Sequence, residues 1–316
     1  MEKTAYLVLA NGKVFKGKSF GAEGEVTAEV VFTTGMTGYL ETLTDQSYFG
    51  QIAVQTFPLI GNYGVIPSDF ESNSIGPSAY IVKSWCQKPS NFRCEGDIDT
   101  FLKSRNIVGL YDIDTRSLTK TIRESGVMNG KITFDPLGAD LDAIRTYKIK
   151  NAVESVSAPV PYTVTSTERN YKVVLMDFGL KENIKRELVK RGCDVVVCPY
   201  NMTADEIAAL KPDGIMLTNG PGDPEDNPVV IRNLKELCQT GIPIFGICLG
   251  HQLLALANGF ATCKLKYGHR GANQPVKNIE SGKVYMSSQN HGYAVRSETI
   301  KSNIAKEFFV NVNDQT

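Results

Sequence analysis

The sequence predicts an α/β fold in two parts, a β-rich amino-terminal domain and a doubly wound parallel-sheet domain. Three observations carry this. The first half reads as short strands broken by turns. From Lys172 onward apolar strands alternate with amphipathic helices. Between them, residues 151–170 (NAVESVSAPVPYTVTSTERN) are rich in Ser, Thr, Val and Pro and carry no helical stripe. A chain of 316 residues, 42% hydrophobic and 22% charged, is long enough for two cores. The predicted division is therefore 1–150 for the first domain, 151–170 for a linker and 171–316 for the second domain.

In the first domain Tyr6–Ala10 and Lys13–Lys16 flank Asn11-Gly12, the pair that suits a type I′ hairpin turn. A second β-rich stretch follows at Glu29–Thr33, and Thr115–Arg123 has helical periodicity. In the second domain Val173–Asp177 is an apolar strand, and Leu180–Arg191 an amphipathic helix closed by Gly192. Asp194–Cys198 is the next strand, and Thr203 with Glu206 forms a capping box. Ile215–Thr218 is a third strand, Val229–Cys238 a helix, Ile242–Ile247 a fourth strand and His251–Asn258 a helix ended by Gly259. Continuous apolar strands alternating with helices predict a parallel sheet covered on both faces, with its site at the carboxyl ends of the strands.

Composition excludes several classes. Lys and Arg number 34 against 34 Asp and Glu, so no basic excess exists to neutralise nucleic-acid phosphates. No apolar run approaches the roughly 20 residues of a membrane helix. The amino terminus, MEKTAYLVLANG, does not read as a signal peptide. Seven cysteines without a CxxC pair point to a reducing, cytoplasmic setting and no disulfide framework. Gly12–Ser19 satisfies the P-loop pattern letter for letter but lies in a hairpin rather than between a buried strand and a helix, so no nucleotide is expected there. Asn201-Met202-Thr203 fits a glycosylation sequon that the expected compartment makes irrelevant, and no His/Cys cluster has zinc spacing.

The chemistry concentrates at Gly246-Ile247-Cys248-Leu249-Gly250, the cysteine form of a nucleophile elbow. A sharp strand-to-helix turn brings backbones too close for side chains, hence the glycines. It also lifts the thiol to the helix amino terminus, where the dipole favours thiolate. The N–H of Leu249 then points where an oxyanion develops. An isolated cysteine would more often be a buried small hydrophobe; the glycines, the strand before and the helix after favour the nucleophile. Thr218-Asn219-Gly220-Pro221-Gly222-Asp223-Pro224 ends the third strand. It could be a tight turn only, or its Gly220 N–H could supply the second oxyanion donor.

These two loops resemble the hallmarks of class I glutamine amidotransferases. Further segments resemble the small subunit of carbamoyl phosphate synthetases: Ser288–Val295, a third binding loop; Lys266–Asn273, a basic loop; and, in the amino-terminal domain, Thr34–Tyr39, Thr44–Tyr48, Gly61–Gly64 and Asp114–Arg116. The resemblance implies that Cys248 attacks the side-chain amide of glutamine, with Leu249 and Gly220 as oxyanion donors. It implies that Ser47, Gly220, Gly222, Leu249, Gln252, Asn290, Gly292 and Tyr293 hold the substrate. It also implies that ammonia passes to a large synthetase subunit, which uses ATP, with Mg, and bicarbonate. No cofactor or metal is expected in this chain, and neither nucleic acid nor membrane among its partners.

In the resembled family the base and its orienting group come from a downstream His-Pro-Glu motif, which this sequence does not contain before Thr316. The expectation is a chain cut short, of reduced stability, with a weakly active or non-catalytic binding subunit as the alternative. Of the three histidines, His251 is expected to pack or cap and His269 to be structural in its loop. His291 is the nearest to the site, in a supporting role.

Overall fold

The computed structural model describes residues 3–316, in two compact units. The first comprises 1–150 with 270–273, the second 151–269 with 274–316.

The first unit is built on a closed seven-stranded barrel. Its elements are β1 (Thr4–Leu9), β2 (Val14–Gly21), β3 (Val26–Thr33), α1 (Tyr39–Thr44), β4 (Gln51–Gln55), β5 (Leu59–Ile60), β6 (Ala79–Ile81), β7 (Ser84–Trp85), α2 (Ile98–Ser104), β8 (Val108–Tyr111), α3 (Thr115–Ser125), β9 (Met128–Thr133) and α4 (Leu141–Thr146). The barrel order is β1-β2-β8-β6-β4-β3-β9, and β5 pairs with β7 outside it. Period-two alternation builds two cores from the same strands. Val30, Ile52, Val54 and Ile81 join one cluster, while their neighbours Val31, Ala53, Tyr80 and Val82 join the other. The hairpin is where expected, but its turn is not type I′. Leu9 N–H donates to the Lys13 carbonyl, leaving Ala10, Asn11 and Gly12 as a three-residue loop with only Gly12 left-handed (φ +84°). A type I turn followed by a left-handed glycine satisfies the strand twist equally well.

The second unit contains α5 (Ala152–Val156), β10 (Tyr162–Val164), β11 (Tyr171–Asp177), α6 (Glu182–Lys190), β12 (Cys193–Pro199), α7 (Ala204–Ala209), β13 (Gly214–Leu217), α8 (Pro228–Leu237), β14 (Ile244–Gly246), α9 (Leu249–Ala257), β15 (Thr262–Asn278), β16 (Val284–Val295) and β17 (Phe309–Asn311). Strands run β10-β12-β11-β13-β14, the last four in parallel. Chain order reverses between β11 and β13, so the crevice of this sheet opens at the carboxyl ends of β11, β13 and β14. The capping box at Thr203 and Glu206 closes α7.

The segment 151–170 is not a linker. Val153 of α5 is buried in the core beside Val174 and Met176, and Ala158 N–H donates to Asp177 Oδ2 at 2.9 Å. Tyr162-Thr163-Val164 adds an antiparallel edge to β12. Ser and Pro punctuate two short elements here rather than freeing the chain. A separate sheet in the order β16-β15-β17 completes the unit, with β17 pairing along Val276–Asn278. The segments Lys266–Asn273 and Ser288–Val295, expected as loops, are parts of β15 and β16.

Candidate active site at Cys248

Cys248 sits between β14 and α9 with φ +53° and ψ −110°. A side chain with a Cβ pays about 1–3 kcal/mol to sit outside its favoured regions, and such residues persist only where neighbours fix them. Here they do. Ile247 N–H donates to the Leu217 carbonyl at 3.0 Å and Gly250 N–H to the Thr218 carbonyl at 3.0 Å, tying the elbow to β13 on both sides of the cysteine. A Cβ at Gly246 would stand 2.7 Å from the His251 nitrogen, and one at Gly250 2.5 Å from the Leu217 carbonyl oxygen. The glycines of the motif are therefore forced by backbone contact.

The loop after β13 is built by the same logic. A Cβ at Gly220 would meet the Phe178 carbonyl oxygen at 2.2 Å and Leu249 Cδ2 at 2.7 Å. Thr218 Oγ1 accepts from Phe178 N–H at 2.9 Å. Asn219 Nδ2 donates to the Gly179 carbonyl at 2.7 Å, and its Oδ1 accepts from Lys181 N–H at 3.2 Å. Buried Asp177 receives the N–H groups of Gly179 and Leu180 at 2.9 and 2.8 Å. The loops after β11, β13 and β14 thus form one interlocked rim. Leu249 and Gly220 are both buried, and the N–H of neither is engaged by another described residue. Leu249 opens α9, so its N–H has no intrahelical partner. Gly222 lies further along the loop, exposed and left-handed at φ +87°.

The third side is β16. Cys248 Sγ lies 3.3 Å from the Asn290 carbonyl oxygen. Gln252, one helical turn on and 6% exposed, donates from Nε2 to the Tyr293 carbonyl at 2.8 Å. Asn290, Gly292 and Tyr293 are half-buried along this strand. These contacts join Cys248 to Asn290, Gln252 to Tyr293 and Gly220 to Leu249, while Gly222 lies against Ala152 and Gly292 follows on β16 between His291 and Tyr293. Ser47 belongs to the first unit, in a short 3-10 turn at Gln46–Tyr48, where its N–H donates to Asp45 Oδ1 at 2.9 Å.

The three histidines occupy different settings. His251 lies on the first turn of α9; its surface is solvent-accessible, yet enough protein surrounds the ring that burial lowers its pKa below the ordinary imidazole value. His269 is buried in a strand and reaches Asp314 Oδ2 at 2.8 Å. His291 Nδ1 is 2.7 Å from the Tyr293 carbonyl oxygen and its Nε2 is 3.0 Å from Gln289 Oε1. Asn311 and Asp314 had no signal in the sequence, since polar residues in a short strand and a turn carry no periodicity, whereas Gln289 lies within the segment Ser288–Val295 singled out above. Among the described residues no group of three or more His, Cys, Asp or Glu could hold a metal ion. No helix among them is long and apolar enough to cross a membrane.

The second unit is thus an α/β domain with a cysteine elbow between strand and helix at the carboxyl end of its parallel sheet, the build of a class I glutamine amidotransferase. Residues 174–316 match the family described as glutamine amidotransferase class-I, and residues 7–132 the carbamoyl-phosphate synthase small chain, CPSase domain. The chain is 52% identical over 314 residues to the carbamoyl phosphate synthase small chain of Bacillus thuringiensis subsp. konkukian, covering 98% of this chain and 85% of that one. It is 50% identical to the carbamoyl phosphate synthase pyrimidine-specific small chain of Bacillus subtilis, with coverage of 98% and 85%. To the small chain of Lactococcus lactis subsp. cremoris it is 47% identical, with 98% and 87%. The chain belongs to the carbamoyl phosphate synthase small chain family.

Proposed function

We infer that the chain is the glutamine-hydrolysing subunit of a carbamoyl phosphate synthase, with Cys248 as its nucleophile. The observation that carries this is the elbow: a thiol held at positive φ at the start of α9, in a strand-to-helix turn whose flanking glycines have no room for a Cβ. In this reading the Cys248 thiolate adds to the side-chain carboxamide carbon of glutamine. The carbonyl oxygen becomes an oxyanion between the N–H groups of Leu249 and Gly220. The C–N bond then breaks, the nitrogen takes a proton and leaves as ammonia, and a glutamyl thioester remains. Water cleaves the thioester to glutamate and returns the thiol. Gln252, through its tie to Tyr293, holds β16 against the elbow, where Asn290, Gly292, Tyr293 and Gly222 line the substrate's place.

Ammonia at neutral pH is largely protonated and then not nucleophilic, so the reading includes delivery to a large subunit that uses ATP and Mg. No cofactor is assigned to this chain, its setting is taken as the cytoplasm, and neither nucleic acid nor membrane is among its partners. None of the three histidines is assigned as the base that serves the thiol.

The test is covalent trapping. A chloroketone analogue of glutamine, offered with the large subunit present, is expected to alkylate Cys248 alone, and glutamine to protect against it. Failure to label Cys248, or labelling indifferent to glutamine, overturns the reading; Cys248→Ser is the control.

A further inference from the structure

Two imidazoles and a carboxylate meet behind the substrate strand, and their hydrogen bonds can be counted. Nδ1 of His291 lies 2.7 Å from the Tyr293 carbonyl oxygen, which only accepts, so Nδ1 carries hydrogen. Nε2 of His291 lies 3.0 Å from Gln289 Oε1. The Gln289 amide is oriented by its other end: its Nε2 donates to Ser287 Oγ at 3.0 Å, while the Ser287 hydroxyl donates to the Gln274 carbonyl at 2.9 Å. Gln289 therefore presents an acceptor, and Nε2 of His291 carries hydrogen too.

His269 meets His291 edge to face, with Nδ1 3.3 Å from His291 Nε2. That Nδ1 also faces Asn311 Nδ2 at 3.3 Å, a donor because Asn311 Oδ1 already accepts from Asn313 N–H at 2.8 Å. Nδ1 of His269 is thus an acceptor, and its Nε2 donates to Asp314 Oδ2 at 2.8 Å. The count is three ring N–H groups, one more than two neutral imidazoles carry. Asp314 supplies the balancing charge. Burial raises its carboxyl, but hydrogen bonds from Thr316 and the nearby His269 outweigh that and hold it below the usual range.

We propose that His269, His291 and Asp314 hold one extra proton and act together as positioning residues that set the Asn290–Tyr293 segment of β16 against Cys248 and Gln252. The Tyr293 carbonyl is the joint: it accepts from His291 on its own strand and from Gln252 of α9. The Asn290 carbonyl is the contact delivered to Cys248 Sγ. The proton sits on His291 Nε2, which presents it to Gln289 Oε1 and to His269 Nδ1. Its positioning role rests on Cys248 being the glutamine nucleophile.

The experiment uses the 316-residue chain with ¹⁵N-labelled histidine. With only three histidines in the sequence, single substitutions assign each ring. Near neutral pH, His291 is expected to show two protonated ring nitrogens and His269 one. Two neutral rings, each with one bare nitrogen, overturn the proposal. Asp314→Asn is expected to remove the extra proton and to raise by about tenfold the glutamine needed to protect Cys248 from iodoacetamide. Asp314→Glu is expected to restore both. Retention of the proton in Asp314→Asn, or its loss with unchanged protection, overturns the proposal. If glutamine fails to protect Cys248 in the unaltered chain, the glutaminase reading fails while the ring nitrogens still report on the extra proton.

Discussion

On one side of Cys248 the chain is fixed by contacts that leave no room for a side chain; on the other it is fixed by polar groups reaching across strands. The rim made by the loops after β11, β13 and β14 depends on Gly220, Gly246 and Gly250, where a Cβ would stand 2.2–2.7 Å from backbone. The β16 side depends on Gln252, Gln289, His291 and their acceptors. Steric contact is short-ranged and unforgiving, so it dictates residue type. A hydrogen-bond network tolerates several residue types that can donate or accept, so it dictates pairing rather than identity.

The sharpest way to break this contrast is to add one methyl group to the steric side. Gly220→Ala and Gly250→Ala are each expected to cost about 1–3 kcal/mol from overpacking and to lower the melting temperature by about 3–10 °C. Labelling of Cys248 by a glutamine analogue is expected to fall by about 10²-fold, because the oxyanion N–H groups shift with the loops. Gly259→Ala is the comparison: φ is +79° but nothing lies within 4 Å of its Cβ, so only about 1–2 kcal/mol of backbone strain is expected and no loss of labelling. Equal effects in all three would mean that backbone strain alone, not contact, fixes the rim.

The polar side is expected to yield less. Gln252→Leu removes the donor to the Tyr293 carbonyl inside a buried helix turn and is expected to cost about 1–2 kcal/mol. Cys248 should remain open to iodoacetamide, while the glutamine concentration that protects it rises several-fold. A fall in melting temperature as large as that of Gly250→Ala would erase the distinction.

This contrast also marks what could be read from the sequence. The strand–helix alternation after Lys172 gave the parallel sheet, because buried strands need continuous apolar runs and their covering helices need a stripe. Gly246, Cys248 and Gly250 were legible for the steric reason above. The folding of 151–170 was not: Val153 is the one buried residue of a five-residue helix, too short for periodicity, and Tyr162–Val164 is three residues long. The barrel was legible only as strands, since closure depends on pairings such as β3 with β4 and β6 with β8 that are far apart in sequence. The partnership of His269 with Asp314, 45 positions apart, left no trace in spacing.

Thiol chemistry sharpens the comparison at smaller scale. Cys198, fully buried at the end of β12, is pushed by burial to about 11, and burial also raises Cys193 and Cys238. Near pH 8 these remain thiols and unreactive. Half-buried Cys248, at a helix amino terminus, is expected to take iodoacetamide at least tenfold faster than Cys198 in the folded chain. Peptide mapping after a short exposure checks this, and comparable rates would remove the case for an activated cysteine.

The smallest expected effect asks whether a polar tie on an open surface of the first unit matters as the buried ones do. Glu25 accepts from the Thr133 hydroxyl and pairs with Lys131 at 2.9 Å, and these hold its carboxyl at about 2 against an ordinary 4.5. A carboxyl depressed in the folded state stabilises above the unfolded value, so its contribution is complete above about pH 4.5 and fades as pH falls toward 2. Because the Glu25 side chain is 40% exposed, solvent screening reduces the effect to about 1 kcal/mol or less. Glu25→Gln is therefore expected to lower urea stability slightly at pH 7 and to converge with the unaltered chain near pH 2. A difference that persists at pH 2 would assign the effect to lost packing. A difference of several kcal/mol at pH 7 would mean that this tie behaves like the buried network beside Cys248 despite its exposure.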